Sequence, residues 1–338
     1  MTRRRILVLA LALLVTLTIV AIALFDHASR VAMRTATTIK QPLLFTVPAG
    51  ADLSRVAARL ASTGLVSNPA YFEWRVRWAG LAAALQAGTY EVLPQETPTD
   101  LLTKIVTGRT KTFAITFVEG TRFADLRQVL DAHAYVVHSL TGRRDAEVMA
   151  ALGLAGQAAE VWFFPSTYHF KADTTDLALL KRAHQRMQKL LNDNWQRRAA
   201  QLPYQTPYEA LIMASIVEKE TARAEERPAI AGVFVRRLQS GMKLQTDPTV
   251  IYGMGDTYKG NIRRADLERD TPYNTYTRKG LPPTPIALPG AAALKAALAP
   301  APGNTLYFVA RGDGSHQFST SLAEHDDAVR RFQLRGKR

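Results

Sequence analysis

Hydrophobic and polar positions divide the chain into three regimes. An uncharged apolar run extends from Ile6 to Phe25 and ends at Asp26. About 20 residues at a rise of roughly 1.5 Å cover the ~30 Å hydrocarbon core of a bilayer, so the pattern predicts a membrane-spanning helix over 6–25. Residues 26–41 are polar and read as a tether. From 42 to 110 the apolar spacing switches between two periods. Phe45-Thr46-Val47 reads as a strand that stops at the turn signal Pro48-Ala49-Gly50. Leu53, Val56, Ala57 and Leu60 share one face of a helix from Asp52 to Ala61, and Ser67-Asn68-Pro69 opens a second helix carrying Tyr71, Phe72, Trp74, Val76 and Trp78. Gly88 to Val92 is a further strand, and beyond Pro94 and Pro98 a short helix passes through Leu101, Leu102 and Ile105.

The third regime, 111–338, opens with the alternation Phe113, Ile115, Phe117, a turn at Gly120 and an amphipathic helix from Phe123 to His133. Short strands and helices are mixed here without βαβ repetition, which predicts an α+β domain. Its most distinctive stretch begins at Thr206. Thr206 can cap a helix, Pro207 suits the first helical position, and Glu209 completes a capping box. Ala210 to Val217 is apolar on nearly every side, so this helix should be buried. Tyr307-Phe308-Val309 and Gln317-Phe318 flank a glycine-rich turn and read as a hairpin.

Charge adds direction. Arg3-Arg4-Arg5 precede the apolar run, which by the positive-inside rule places 1–5 in the cytoplasm and everything after Phe25 outside. A cleaved signal peptide ending at Ala21-Ile22-Ala23 is the alternative, but its apolar region would be shorter than this one. Lys and Arg number 43 against 29 Asp and Glu, a net charge of +14. The basic residues are dispersed, with no aromatic-laced patch, so nucleic acid is not the expected partner. The absence of cysteine removes thiolate catalysis, disulfides and Cys-type zinc sites. The seven histidines show no ligand spacing, there is no G-x-S-x-G, and Gly253-Met254-Gly255 lacks the context of a dinucleotide loop. Neither a metal nor a cofactor is expected.

Candidate chemistry gathers around Glu218-Lys219-Glu220-Thr221, where the buried helix ends. By helical period Glu218 shares a face with Leu211, Ala214 and Ser215, while Glu220 lies about 200° away with Met213, Ile216 and Val217. A carboxyl leaving an apolar helix loses solvation, and its pKa rises toward the range of a general acid. Periodicity does not choose between the two. Downstream, Leu244-Gln245-Thr246-Asp247-Pro248-Thr249, Tyr273-Asn274-Thr275-Tyr276 and Gly280 to Ile286 supply amides, hydroxyls and phenol rings in irregular stretches, the groups from which a sugar cleft is built.

Two resemblances follow. The strand–helix–helix–strand order of 42–110 resembles a LysM domain, a module that binds N-acetylglucosamine-containing glycans; a small adaptor holding the next domain off the membrane is the alternative. Ala214 to Thr221, together with Leu244 to Gly253, Tyr273 to Thr277 and Gly280 to Ile286, resembles the endolytic murein transglycosylase, or YceG-like, family over nearly the whole chain. That resemblance implies a peptidoglycan lytic transglycosylase anchored in a bacterial inner membrane. Its catalytic domain (111–338) would be periplasmic, acting on nascent glycan strands beside peptidoglycan synthases. It assigns catalysis to Glu218 and substrate contacts to Glu220, Gln245, Asp247, Tyr273, Asn274 and Tyr276. Departures from the family pattern fall at Val161 and Ser166, where Gly and Asp are commoner, and at Ser319 and Ser321, where Asn is. A lysozyme-type hydrolase using Glu218 and Asp247 and a silent glycan-binding scaffold are the rival readings. Asp247 also reads as an Asp-Pro turn cap.

Overall fold

The computed structural model describes residues 3–334. The first two residues of the expected cytoplasmic tail and the last four of the expected catalytic domain lie outside that range. The elements run α1 (Arg3–Arg34), β1 (Leu43–Val47), α2 (Leu53–Ser62), α3 (Pro69–Trp78), β2 (Gly88–Val92), α4 (Pro98–Thr107), β3 (Phe113–Thr116), α5 (Phe123–Ala132), α6 (Asp145–Ala151), β4 (Thr167–Phe170), α7 (Asp176–Gln196), α8 (Pro207–Glu220), α9 (Arg227–Gln239), α10 (Asp247–Met254), α11 (Arg264–Glu268), α12 (Ala291–Leu298), β5 (Tyr307–Ala310), β6 (His316–Ser319) and α13 (Leu322–Val329). Helices and two-stranded sheets (β1 with β2, β3 with β4, β5 with β6) make this a mixed α+β chain. It divides into two compact units, Met1–Phe113 with His169–Asp173, and Ala114–Tyr168 with Thr174–Arg338.

In the first unit α1 is long and apolar enough to cross a membrane. It does not stop at Asp26. The stretch expected as a tether is helical as far as Arg34, because Ser29 and Met33 are buried and Asp26 is tied to the next elements. Asp26 accepts from Arg30 Nε at 2.7 Å, Arg75 Nη1 at 3.0 Å and Trp74 Nε1 at 3.2 Å. The expected strand–helix–helix–strand follows. β1 and β2 are antiparallel, with Phe45 opposite Tyr90 and Val47 opposite Gly88. Asp52 caps α2 by accepting from Arg55 N at 2.7 Å, and Asn68 caps α3 ahead of Pro69. α4 carries a Thr97/Asp100 capping box and ends where Gly108 takes a left-handed φ of 66°. Phe45, Val56, Leu60, Phe72, Val76, Tyr90, Leu101 and Ile105 fill one core.

The second unit is organised on α8, which packs against α7, α9, α10 and α12. Thr206 and Glu209 form the capping box, and Ala210 to Val217 is buried throughout, so the helix is apolar all round because it has neighbours all round. Ser215 uses its hydroxyl twice, donating to Ile212 O at 2.7 Å and accepting from Ile286 N at 3.0 Å. That second bond fixes the segment after Gly280 along one face of α8. The stretch 244–253, expected to be irregular, includes α10: Pro248 occupies a first-turn position and permits the helix that an interior proline would break.

Three departures from the family pattern find local explanations. Val161 sits at a φ of 79°, a region that crowds a β-branched side chain and in which glycine is unstrained. Ser166 accepts from Arg186 Nη1 at 2.9 Å, so a neutral hydroxyl meets a guanidinium that an aspartate would meet with charge. Ser321 caps α13 by accepting from Glu324 N, a task asparagine performs equally well.

Candidate active site

A cavity of about 580 Å³ opens in the second unit where the ends of α8 and α9 meet the start of α10 and the β5–β6 hairpin. Glu220, Arg237, Gln245, Asp247, Tyr276 and His316 line its polar side, with Tyr307 and Phe308 beside them. Glu220 is the carboxyl at its heart. Thr246 Oγ1 donates to Glu220 Oε1. Burial is the largest influence on this group and pushes its pKa up to about 7; Asp247 adds to the rise, while the Thr246 bond, His316 and Arg237 oppose it.

The rest of the cavity is held rigidly around this acid. Tyr276 Oη donates to Asp247 Oδ1 at 2.6 Å. The Tyr276 hydroxyl is pushed far above the ordinary phenol range, by burial first and then by Asp247, so it remains a donor. Gln245 lies at a φ of 53°, an uncommon conformation for a residue with a side chain, and its N–H donates to Thr275 O at 3.1 Å. Arg237 donates Nε to Leu306 O at 2.7 Å and Nη1 to Leu244 O at 2.8 Å, joining α9 to the hairpin and to the strap before α10. His316 Nδ1 and Glu226 Oε2 lie 2.7 Å apart, which orients the imidazole toward the cavity side of β6.

Glu218 occupies different surroundings. Its Oε1 accepts from Arg227 Nη2 at 2.8 Å, and its Oε2 accepts from Gly290 N at 2.9 Å. The side chains of this ion pair are 6% and 9% exposed, and neither lines the cavity. Burial raises the Glu218 pKa, the Gly290 and Arg227 contacts lower it, and Glu119 raises it again. Glu218 and Ser215, one turn apart, thus hold both ends of the Ile286–Gly290 segment against α8.

Of the residues singled out from sequence, the structure brings Glu220, Gln245, Asp247 and Tyr276 to one cavity and leaves Glu218, Tyr273 and Asn274 outside its lining. Asn274 is buried, and its amide nitrogen donates to the carbonyls of Asp266, Leu267 and Arg269 while Oδ1 accepts from Tyr276 N at 2.8 Å. With every polar atom so engaged, it shapes the loop that presents Tyr276. Tyr273 bonds Thr284 at 2.7 Å and packs edge-on against Tyr252. Arg227, Arg237 and Glu226 were not foreseen. The one available signal was that Arg236 and Arg237 follow the apolar stretch Ile230 to Val235 of α9.

Two carboxyls at the end of a buried helix, one of them lining a cavity with amide, phenol and imidazole groups, are the equipment of an α+β enzyme working by acid–base chemistry on a polar substrate. The chain belongs to the YceG-like family, whose model matches residues 45–331. It is 29% identical to the endolytic murein transglycosylase of Bacillus subtilis over 308 residues, covering 85% of this chain and 83% of that protein. It is 27% identical to the endolytic murein transglycosylase of Streptococcus pneumoniae D39 over 84% of this chain, which spans 57% of the pneumococcal protein. The crystal structure of a yceG-like protein, lmo1499, from Listeria monocytogenes superposes with a TM-score of 0.52 at 27% identity, covering 86% of this chain and 99% of that one.

Proposed function

We propose that this chain is an endolytic peptidoglycan lytic transglycosylase in which Glu218 is the acid/base and Glu220, Gln245, Asp247 and Tyr276 contact the glycan. One observation supports the acid: Glu218 ends the buried helix α8 two residues from the cavity-lining Glu220, and burial raises its pKa. The name shared by its relatives supplies the substrate class, the glycan strands of peptidoglycan.

The chemistry follows from one carboxyl working twice. Protonated Glu218 donates to the oxygen joining muramoyl C1 to the 4-position of the next N-acetylglucosamine, the C1–O bond breaks, and an oxocarbenium-like centre develops. Asp247, which accepts from Tyr276, supports that centre or orients the acetamido group. Ionised Glu218 then takes the proton from the muramoyl C6 hydroxyl, whose oxygen closes on C1 to form a 1,6-anhydro ring. The acid is restored without water. A nucleophile supplied by the substrate removes the need for the second carboxylate of ordinary glycosidases. Arg227 and the Gly290 N–H hold the Glu218 carboxyl in place, and Glu220 lines the neighbouring cavity.

A hydrolase with Asp247 as the second carboxylate is the rival, because Asp247 lies in the same cavity. Mass analysis of fragments released from purified glycan separates them, since an anhydro end is one water lighter than a reducing end. Reducing ends in the product would sink the lyase reading, and full release by Glu218→Gln would sink the assignment of the acid.

The apolar α1 supports a single-pass anchor in the inner membrane, with the cytoplasm on its Arg3–Arg5 side and both units on the periplasmic side. Confinement to the membrane surface suits a cut made on strands as they leave the synthases. The strand–helix–helix–strand unit is compatible with LysM-type glycan binding.

A further inference from the structure

We infer that the face of α3 bearing Tyr71, Trp74 and Trp78, with the arginines next to it, is a bilayer-contact surface that takes anionic phospholipid headgroups. The inference rests on the reading that α1 crosses the membrane.

Depth along α1 is the argument. The apolar run ends at Phe25, and Asp26 is the first charged residue after it, so this point of the helix sits where hydrocarbon gives way to headgroups. The Phe25 ring meets Tyr71 edge-on at 5.0 Å and Trp74 edge-on at 5.6 Å between centroids. Asp26 accepts from Trp74 Nε1 and Arg75 Nη1. Side chains in direct contact with a boundary residue share its depth, since the interfacial layer on each side is itself about 5–8 Å thick. Tyr71 and Trp74 therefore lie in that layer. Trp78 stacks on Trp74 at 6.0 Å and is 72% exposed, an unusual state for an indole facing bulk water. Amphipathic rings of this kind are the residues that favour the headgroup region.

A second observation gives the surface its charge preference. A cavity of about 420 Å³ lies between the end of α1 and helices α3 and α4, bordered by Arg30, Arg34 and Arg75 and floored by Met33, Leu102 and Val106. Asp26 pairs with Arg30 and Arg75, which leaves the three-arginine cluster with a positive excess, and a lipid phosphodiester would take the N–H donors of Arg34 and the remaining N–H groups of the other two. Anionic headgroups attract such a cluster; zwitterionic ones do so less. The small unit is thereby seated on the membrane through α3 as well as threaded to it by α1.

The test uses the full chain in lipid nanodiscs, with bromine on the lipids as a short-range quencher of tryptophan. With shallow-brominated phosphatidylglycerol, tryptophan emission is expected to be quenched, and Trp78→Phe, which removes an exposed ring bearing no hydrogen bond, should abolish a large part of that quenching. The effect should weaken when phosphatidylcholine replaces phosphatidylglycerol. Shallow quenching unchanged by Trp78→Phe overturns the contact surface, and equal quenching in both lipids overturns the anionic preference. A Leu14→Trp variant with bromine deep in the acyl chains reports the span separately. Deep quenching there with no Trp78 effect sinks this inference alone, whereas its absence sinks the membrane-spanning reading and the inference with it.

Discussion

Glu218 and Glu220 stand two residues apart at the end of α8 and send their carboxyls to different partners, Glu218 to Arg227 Nη2 at 2.8 Å and Glu220 to Thr246 Oγ1 beside the cavity. Two residues of helix turn a side chain through about 200°, so one helical end serves two purposes. One face closes a buried ion pair with Arg227 beside the Ile286–Gly290 segment, and the other presents a carboxyl to the cavity. The two groups therefore fail in different ways when changed.

Glu218→Gln keeps size and removes the proton-transfer group. Glycan release is expected to fall by about 10²–10⁴-fold in protein still folded at the assay temperature. The same change removes the counter-charge of the buried Arg227, so a lower melting temperature should accompany it. Glu220→Gln keeps the proton-transfer group and should leave measurable release. Thermal denaturation and a release assay at low temperature, run on both variants, check this; loss of release in Glu220→Gln alone would move the acid to Glu220.

The pH dependence of stability follows from Glu220, whose pKa is pushed up to about 7. The folded pKa is raised above the ordinary carboxyl value, so the folded state binds more protons between the two. This contribution is complete below the unfolded pKa and is lost as pH climbs through the folded one. Denaturant midpoints measured from pH 4 to 8 should show this slope in the wild type, and the slope should flatten in Glu220→Gln.

Gln245 carries its amide into the cavity at the expense of a left-handed backbone. Gln245→Gly is expected to hold or raise stability, by up to about 1 kcal/mol, while lowering activity. A parallel loss of both in melting and release assays would mean that the side chain mainly supports the fold.

Gly232, inside α9, lies against the carbonyl of Ala301: a methyl group there would come within 2.5 Å of that backbone oxygen. The same carbonyl accepts from Arg236 Nη1 at 3.1 Å. Gly232→Ala should therefore force α9 away from the 300–302 turn and destabilise by about 1–3 kcal/mol, despite alanine's better helix propensity. Chemical denaturation reads this directly, and an unchanged or raised midpoint would contradict the close approach.

Much of the architecture was legible because local signals and packing agree. Asp52, Asn68-Pro69 and Thr206-Pro207 mark helix starts, and each proves to be a working cap. The apolar faces of α2 and α8 read from spacing are the faces that are buried. Elsewhere the signal was absent or misleading. The segment after Phe25 is polar enough to suggest a tether, yet Asp26 and Met33 find partners on α3 and α4 that only the folded unit provides. Asn274 stands in a motif assigned to the substrate, and its amide also donates to three carbonyls that only the folded loop brings together. The partners that distinguish Glu218 from Glu220, namely Arg227, Gly290 and Thr246, are not signalled by helical period, and two lie far along the chain.

The unbroken run of α1 from Arg3 to Arg34 has a mechanical meaning. A helix with no hinge between its apolar part and the part fastened to α3 transmits rotation, as a key does. The direction in which the small unit faces is then set by the angular phase of the anchor. One residue inserted ahead of Phe25, near Ile22, would turn that unit by about 100°, and a whole seven-residue insertion would nearly restore its bearing.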